Sequence, residues 1–263
     1  MAYGQPAYVE VEHDRRPRRR WGRRLLVTFI VLLLILVGLL VVADRVGASV
    51  AEDRIGDEVA KEMAARKVSS SVPEVSVGGF PFLTQVLRGE YESISILLRD
   101  VSGEGIRLPR LDVEARDVTA PLDTITSGQG DIVAATVQGT ATIGYPTVAK
   151  LMEQPELRLA ERNGRLVASL PAELLGQRFT LTGEAELSVV KGKIQLRFAD
   201  LTAEGLPDVA GVQNLIAGYA RQLSIDIALP ALPYALELQD VKALPEGLRV
   251  TAMARDVPLN KAA

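Results

Sequence analysis

Asp131 to Ile143 reads DIVAATVQGTATI, and every second residue from Val133 onward is small or aliphatic: Val133, Ala135, Val137, Gly139, Ala141 and Ile143. Side chains alternate across a β-strand, so this spacing places all six on one face and the threonines and Gln138 on the other. Thirteen residues in extended form span about 40 Å. A strand of that length, with one greasy face, needs neighbours of the same kind.

The neighbours are present on both sides. Ile94, Ile96 and Leu98 alternate, as do Leu111, Val113 and Ala115. Downstream come Leu166, Ala168, Leu170; Leu187, Val189; and Ile194, Leu196, Phe198. The series ends with Ile225, Ile227, Leu229; Tyr234, Leu236, Leu238; and Leu248, Val250, Ala252, Ala254. Asn163-Gly164, Lys191-Gly192-Lys193 and Pro245-Glu246-Gly247 separate runs at hairpin spacing. The prediction is an α+β protein built on an elongated, mostly antiparallel β-sheet or barrel, polar on one side and aliphatic on the other. Arg99-Asp100-Val101, Arg116-Asp117-Val118 and Arg255-Asp256-Val257 repeat a small signature, with looser echoes at Asp240-Val241 and Asp200-Leu201. Their expected meaning is an aspartate leaving a strand into a turn.

The N-terminal part is of another kind. Residues 1–24 carry seven arginines against three acids, and read as a disordered cytoplasmic tail. Leu25 to Ala43 is nineteen uncharged residues, sixteen of them Leu, Val, Ile or Phe. As a helix it is about 28 Å long, which matches the hydrocarbon core of a bilayer, and its insertion is favoured by about 5 to 10 kcal/mol. Arginines on the N-terminal flank orient the segment with its N-terminus in the cytoplasm and everything after Ala43 outside, in the cell membrane as a single pass. The rival is a cleaved signal peptide ending at Val41-x-Ala43, whose apolar stretch is longer than the usual 7 to 15 residues. Residues 44–71 form a juxtamembrane helix segment: Asp44 to Lys67 has helical spacing, with Val46, Val50, Ile55, Val59 and Met63 near one face, and Ser69-Ser70-Ser71 then Pro73 stop it. Residues 72–258 make the ectodomain.

Chemistry is sparse beyond the membrane. The chain has no cysteine, and its one histidine, His13, lies in the tail, which removes Ser-His-Asp and Cys-His systems and the usual zinc sites from the ectodomain. No phosphate-binding or dinucleotide motif occurs. Residues 44–263 have a net charge of -7, unlike a nucleic-acid-binding body. Abundant carboxylates leave a glycosidase-type pair open by counting alone. The expectation is a protein that is not an enzyme, with no metal and no cofactor.

Apolar surface remains. An aliphatic sheet either fills its own core or lines a cavity for acyl chains. A two-chain lipid with about thirty methylenes costs on the order of 24 kcal/mol to expose to water, so a carrier must cover the full chain length. Two helical stretches could assist. Pro207 to Leu223 places Val209, Val212, Ile216, Tyr219 and Leu223 on one stripe. Pro81 can start a short helix in GGFPFLTQVLRGEY, residues 78–91, with Phe82, Leu83, Val86 and Leu87 on its apolar face and Gly89 as its cap.

The run Pro73-x-Val75-x-Val77-x-Gly79-Phe80-Pro81-Phe82-Leu83-Thr84-Gln85, followed by Gly89-x-Tyr91, resembles the signature of the LmeA family of actinobacterial phospholipid-binding cell-envelope proteins. The likeness covers roughly residues 45–258. It implies a tubular lipid-binding type of fold, with long strands wrapped around a long helix, and a role in envelope lipid or lipoglycan assembly. It brings no catalytic residues.

Phe80 and Phe82 then either close one end of the core, line the mouth where a lipid enters, or form a protein-docking patch. The candidate lipid-contacting residues are Phe80, Phe82, Leu83, Val86, Leu87, Val212, Ile216 and Tyr219, with Arg88 for a head group. The expected partners are a phospholipid or polyprenyl-type lipid, the cell membrane and envelope enzymes. The competing function is a membrane-tethered scaffold with a filled core that recruits envelope proteins.

Overall fold

The computed structural model describes residues 21–103, 106–174, 177–203, 225–227 and 235–260. The stripe of Val212, Ile216 and Tyr219, and with it the helix expected over 207–223, lies outside the described residues.

The chain divides into two compact units, residues 1–43 and 44–263. Helix α1 (Trp21–Ala65) runs through the boundary without a break. In the first unit it is apolar enough to cross a membrane, with a mean hydropathy of 3.5 over its most apolar window and none of that window buried. A signal sequence near an N-terminus has the same character.

In the second unit the strands are β1 (Glu74–Gly78), β2 (Glu90–Gly103), β3 (Ile106–Thr119), β4 (Val133–Ile143), β5 (Arg158–Arg162), β6 (Arg165–Leu174), β7 (Gln177–Val190), β8 (Lys193–Ala203), β9 (Ile225–Ile227), β10 (Glu237–Leu244) and β11 (Gly247–Pro258). Short helices α2 (Phe82–Arg88), α3 (Leu122–Ser127) and α4 (Tyr145–Leu151) interrupt them. The strands form two open antiparallel sheets, ordered β1-β2-β3-β4-β11-β10 and β5-β6-β7-β8-β9, and no closed barrel is present among the described residues. Hairpins fall where the sequence places them. Asn163 and Gly164 both take positive φ, 54° and 79°, as the two-residue turn between β5 and β6 requires.

Registry turns the alternating runs into rows. Val75, Ile96, Val113, Gly139, Ala252 and Leu238 are consecutive partners across the first sheet. Leu98, Leu111, Ala141, Val250 and Val241 make a parallel row. The strand expected over 131–143 begins at Val133, and Ala135 faces outward while Ala134 is fully buried.

The repeated aspartates explain that shift of face. Asp100, Asp117 and Asp256 do not leave strands into turns, as expected; they sit inside β2, β3 and β11 with φ of 54°, 50° and 51°. A left-handed residue breaks the alternation, and aspartate tolerates that conformation better than most. As a result Leu98 and Val101, Ala115 and Val118, and Ala254 and Val257 are all buried at a spacing of three. Asp240-Val241 marks a similar change, with a register shift between Leu238 and Asp240 and both Leu238 and Val241 buried.

Two apolar clusters hold the unit together. One joins both sheets through α4 and contains Leu166, Leu196, Ile194, Leu248 and Val148, each no more than 2% exposed. The other lies at the opposite ends of β2, β3, β4 and β11 and contains Phe82, Tyr91, Val118, Ala134 and Val257, with Ala48 of α1.

The juxtamembrane helix differs from its expectation. It ends at Ala65, two residues before the end of the helical spacing at Lys67, and Ser69 then bridges to Ser102. Val46 and Val50 are exposed, at 56% and 53%, whereas Asp44 and Ala48 are buried. The packed stripe begins with small and polar residues because α1 lies close against α2. A Cβ on Gly47 would lie 3.4 Å from both Leu83 Cδ2 and Phe82 Cδ1. Further along, Ile55, Val59 and Met63 turn inward as expected.

Candidate functional site

The Gly78–Tyr91 segment folds as a clamp around α2. The Phe80–Pro81 peptide is cis, and Pro81 is extended, with φ -79° and ψ 139°, just before the helix begins. Gly89 ends it in the left-handed region at φ 68°, and a Cβ there would come within 2.8 Å of Pro121 Cα. Gln85 ties the helix to two strands: its Nε2 donates to Gly78 O at 3.1 Å, and its Oε1 accepts from Glu92 N at 2.8 Å. Gly79 leaves room for this amide, since a Cβ on it would lie 2.7 Å from Gln85 Nε2.

Helix α1 completes the clamp. The first amides of a helix have no partner within it. Pro81 supplies no side-chain cap, and the buried Asp44 carboxylate accepts from Leu83 N at 2.8 Å instead. Two turns later Glu52 Oε1 accepts from Val77 N at 2.9 Å. That amide lies on β1, the outer strand of the sheet, whose open edge would otherwise present it unpaired.

The two phenylalanines part company. Phe82 is 7% exposed and packs on Tyr91, ring centroids 6.3 Å apart and tilted by 48°. Burial pushes the Tyr91 phenol up from its ordinary value. Phe80 is 56% exposed and lies beneath the Arg45 guanidinium, 5.2 Å from its centroid. Val86 packs part-buried against the Phe82 cluster. Leu83, Leu87 and Arg88 face outward, Leu87 at 82% exposure. The structure therefore brings Phe82 and Val86 together in the core and sets Phe80, Leu83, Leu87 and Arg88 on the surface.

Between the two clusters the aliphatic face of the first sheet is only half-buried. Val75, Ile96, Leu111 and Ala141 belong to neither cluster and are partly exposed. Gly139 lies in their midst, opposite Val113 and Ala252, and a Cβ built on it meets no described atom within 4 Å. These residues make a half-buried aliphatic strip across the first sheet.

The reverse face of the same strands is different in kind. A cleft of about 540 Å³ is lined by the polar Glu74, Ser76, Ser95, Asp112, Glu114 and Thr140 and also by the aliphatic Val75, Ile96, Leu97 and Val113. Its rim charges are paired: Arg110 grips Asp112 through two bonds of 2.7 and 2.8 Å, Arg116 reaches Glu114 at 2.9 Å, and Arg99 pairs with Glu74. Among the described residues no group of three or more His, Cys, Asp or Glu is placed to hold a metal ion.

Sequence reasoning missed the roles of Asp44 and Gln85, which fix α2, and of Glu52, which holds β1. Asp44 carried one signal, as the first charge after the apolar run. Gln85 carried only its place in the quoted motif, and Glu52 carried none, because its partner is a backbone group on another element.

A family model described as LmeA-like phospholipid-binding matches residues 42–253. No curated protein and no solved structure shows significant similarity to the chain.

Proposed function

Because the chain belongs to the LmeA-like phospholipid-binding family, we propose that residues 44–258 hold a phospholipid with its acyl chains laid along the half-buried strip of Val75, Ile96, Leu111, Gly139 and Ala141. The observation that carries this is that no described atom lies within 4 Å of a Cβ built on Gly139, in an otherwise aliphatic row. Alkyl burial there supplies affinity at about 0.8 kcal/mol per methylene, and binding proceeds without catalysis. A polyprenyl-type lipid presents the same chemistry to the strip.

Leu25–Ala43 tethers the domain to the cell membrane, with the N-terminus cytoplasmic and the lipid-holding unit outside. The uncharged run and its flanking arginines support this topology. A tethered lipid holder serves the assembly of envelope lipids or lipoglycans, with envelope enzymes as partners. The scaffold reading draws support from the closely packed cluster around Leu166 and Leu196, each fully buried.

One experiment separates the two. The full chain is purified in a sugar-based detergent, extracted with organic solvent and analysed by mass spectrometry. About one phospholipid per chain supports the holder. Lipid-free protein that also takes up no fluorescent phospholipid leaves the scaffold.

A further inference from the structure

The described residues leave much of the outward face of α2 and α3 uncovered. Leu83 and Leu87 are 38% and 82% exposed, Leu122 and Ile125 on α3 are 47% and 48% exposed, and Phe80 just before α2 is 56% exposed. The two helices abut. Ala120 N donates to Gly89 O at 2.8 Å, joining the end of α2 to the start of α3. Four large apolar side chains on two helices of seven and six residues, with Phe80 just before them, make a concentration that a water-facing surface rarely tolerates.

Its place in the chain identifies the occupant. The first turn of α2 is held by Asp44 through the 2.8 Å bond to Leu83 N. Asp44 is the residue directly after the nineteen-residue apolar run. The apolar run therefore ends one residue before the point where α2 is fastened. The charges agree with a lipid surface: Arg45 stands over the Phe80 ring and Arg88 closes the last turn of α2, both exposed and placed to meet phosphates beside buried apolar side chains.

We propose that Phe80, Leu83, Leu87, Leu122 and Ile125 form a seat that enters the outer leaflet of the bilayer holding the chain's own anchor. The seat keeps the lipid-holding unit against the membrane surface. This inference rests on the membrane-tether reading above, and not on what the strip over Gly139 holds.

The absence of cysteine makes single nitroxide labels unambiguous. The variants are Leu87→Cys and Ile125→Cys in the seat, Leu34→Cys inside the apolar run and Val190→Cys at the exposed β7–β8 hairpin. Each full-length protein is placed in nanodiscs of phosphatidylcholine and phosphatidylglycerol. Relaxation by oxygen, which concentrates in lipid, is compared with relaxation by a water-soluble nickel chelate. The expected result is labels at 87 and 125 that respond to oxygen severalfold more than to nickel, as the label at 34 does, while the label at 190 shows the reverse. If 34 is in lipid but 87 and 125 behave like 190, the seat is refuted and the tether stands. If 34 itself is in water, both fall. Labels at 87 and 125 shielded from both reagents also overturn the proposal and point to a second copy covering the patch. Lipid stoichiometry measured on the same samples reports on the strip separately.

Discussion

The Asp44 carboxylate accepts a hydrogen bond from the Leu83 amide across 39 residues of sequence, at 2.8 Å and with Asp44 only 3% exposed. One buried acceptor thereby caps α2 and fastens it to α1. Its loss leaves an amide with neither water nor partner, a cost of about 1 to 3 kcal/mol. Asp44→Leu should therefore lower the melting temperature of the full chain by several degrees, at about 2 to 4 °C per kcal/mol for a unit of this size. Asp44→Asn keeps an acceptor oxygen and should recover most of the loss. Equal melting of Asp44→Leu and wild type would show that the cap carries no weight.

Two rings separated by one proline should respond oppositely to truncation. Phe82 fills the end of a core beside Tyr91, so Phe82→Ala should cost about 3 kcal/mol or more in denaturant unfolding. Phe80 offers an exposed face to Arg45, an arrangement worth about 0.5 to 1 kcal/mol. Phe80→Ala should thus be nearly silent in the same assay. Similar losses for both would mean that Phe80 is buried in solution.

The left-handed aspartates make a third test. At φ near 50°, Asp117 and Asp256 flank Ala135 from either side of β4. A β-branched side chain in that region is penalised by about 1 to 2 kcal/mol. Asp256→Val should destabilise by that order, and Asp256→Gly should be tolerated or mildly stabilising. Chemical denaturation distinguishes them, and a tolerated Asp256→Val would remove the case for a change of face imposed by the backbone.

Those residues also mark how far the sequence could be read. Alternation, hairpins and the residues of each row were legible because they are local: Ile96, Val113 and Gly139 were on one face before any partner was known. The phase change at Asp117 was not, since strict alternation carries Ala135 inward, where the structure buries Ala134. Pairing of β4 with β11, which lie over a hundred residues apart in the chain, follows only once the whole sheet closes its rows. In the candidate site, α2 and its glycine cap were visible in the motif. The fates of Phe80 and Phe82 were not, because burial there depends on Gly47 and Ala48 arriving from a different element. The Val212, Ile216 and Tyr219 stripe lies outside the described residues.

Tyr145 adds a pH dependence. Its hydroxyl donates to Leu244 O at 2.6 Å, and burial, helped by Glu161 and Glu246, pushes its phenol up to about 12. The folded state favours the neutral ring. That contribution is complete below the unfolded value of about 10 and is lost as pH rises from there through about 12. Wild type should lose melting temperature over this window more steeply than Tyr145→Phe, which has no proton to release. Parallel curves would show that the phenol does not couple to folding.

Gly139 gives the most direct access to the lipid strip. A side chain there projects from the middle of the row between Val113 and Ala252 into space that no described atom within 4 Å occupies. Gly139→Leu should raise strand propensity and leave stability unchanged or improved. The same isobutyl group would stand where the bound alkyl chain is proposed to lie, so co-purified phospholipid should fall well below one per chain. Loss of lipid with undiminished melting temperature distinguishes an occupied groove from a core position, where added volume strains the fold at about 1 to 3 kcal/mol. Full lipid loading in Gly139→Leu would place the acyl chains elsewhere, and a large loss of stability would mean that the strip is covered by protein.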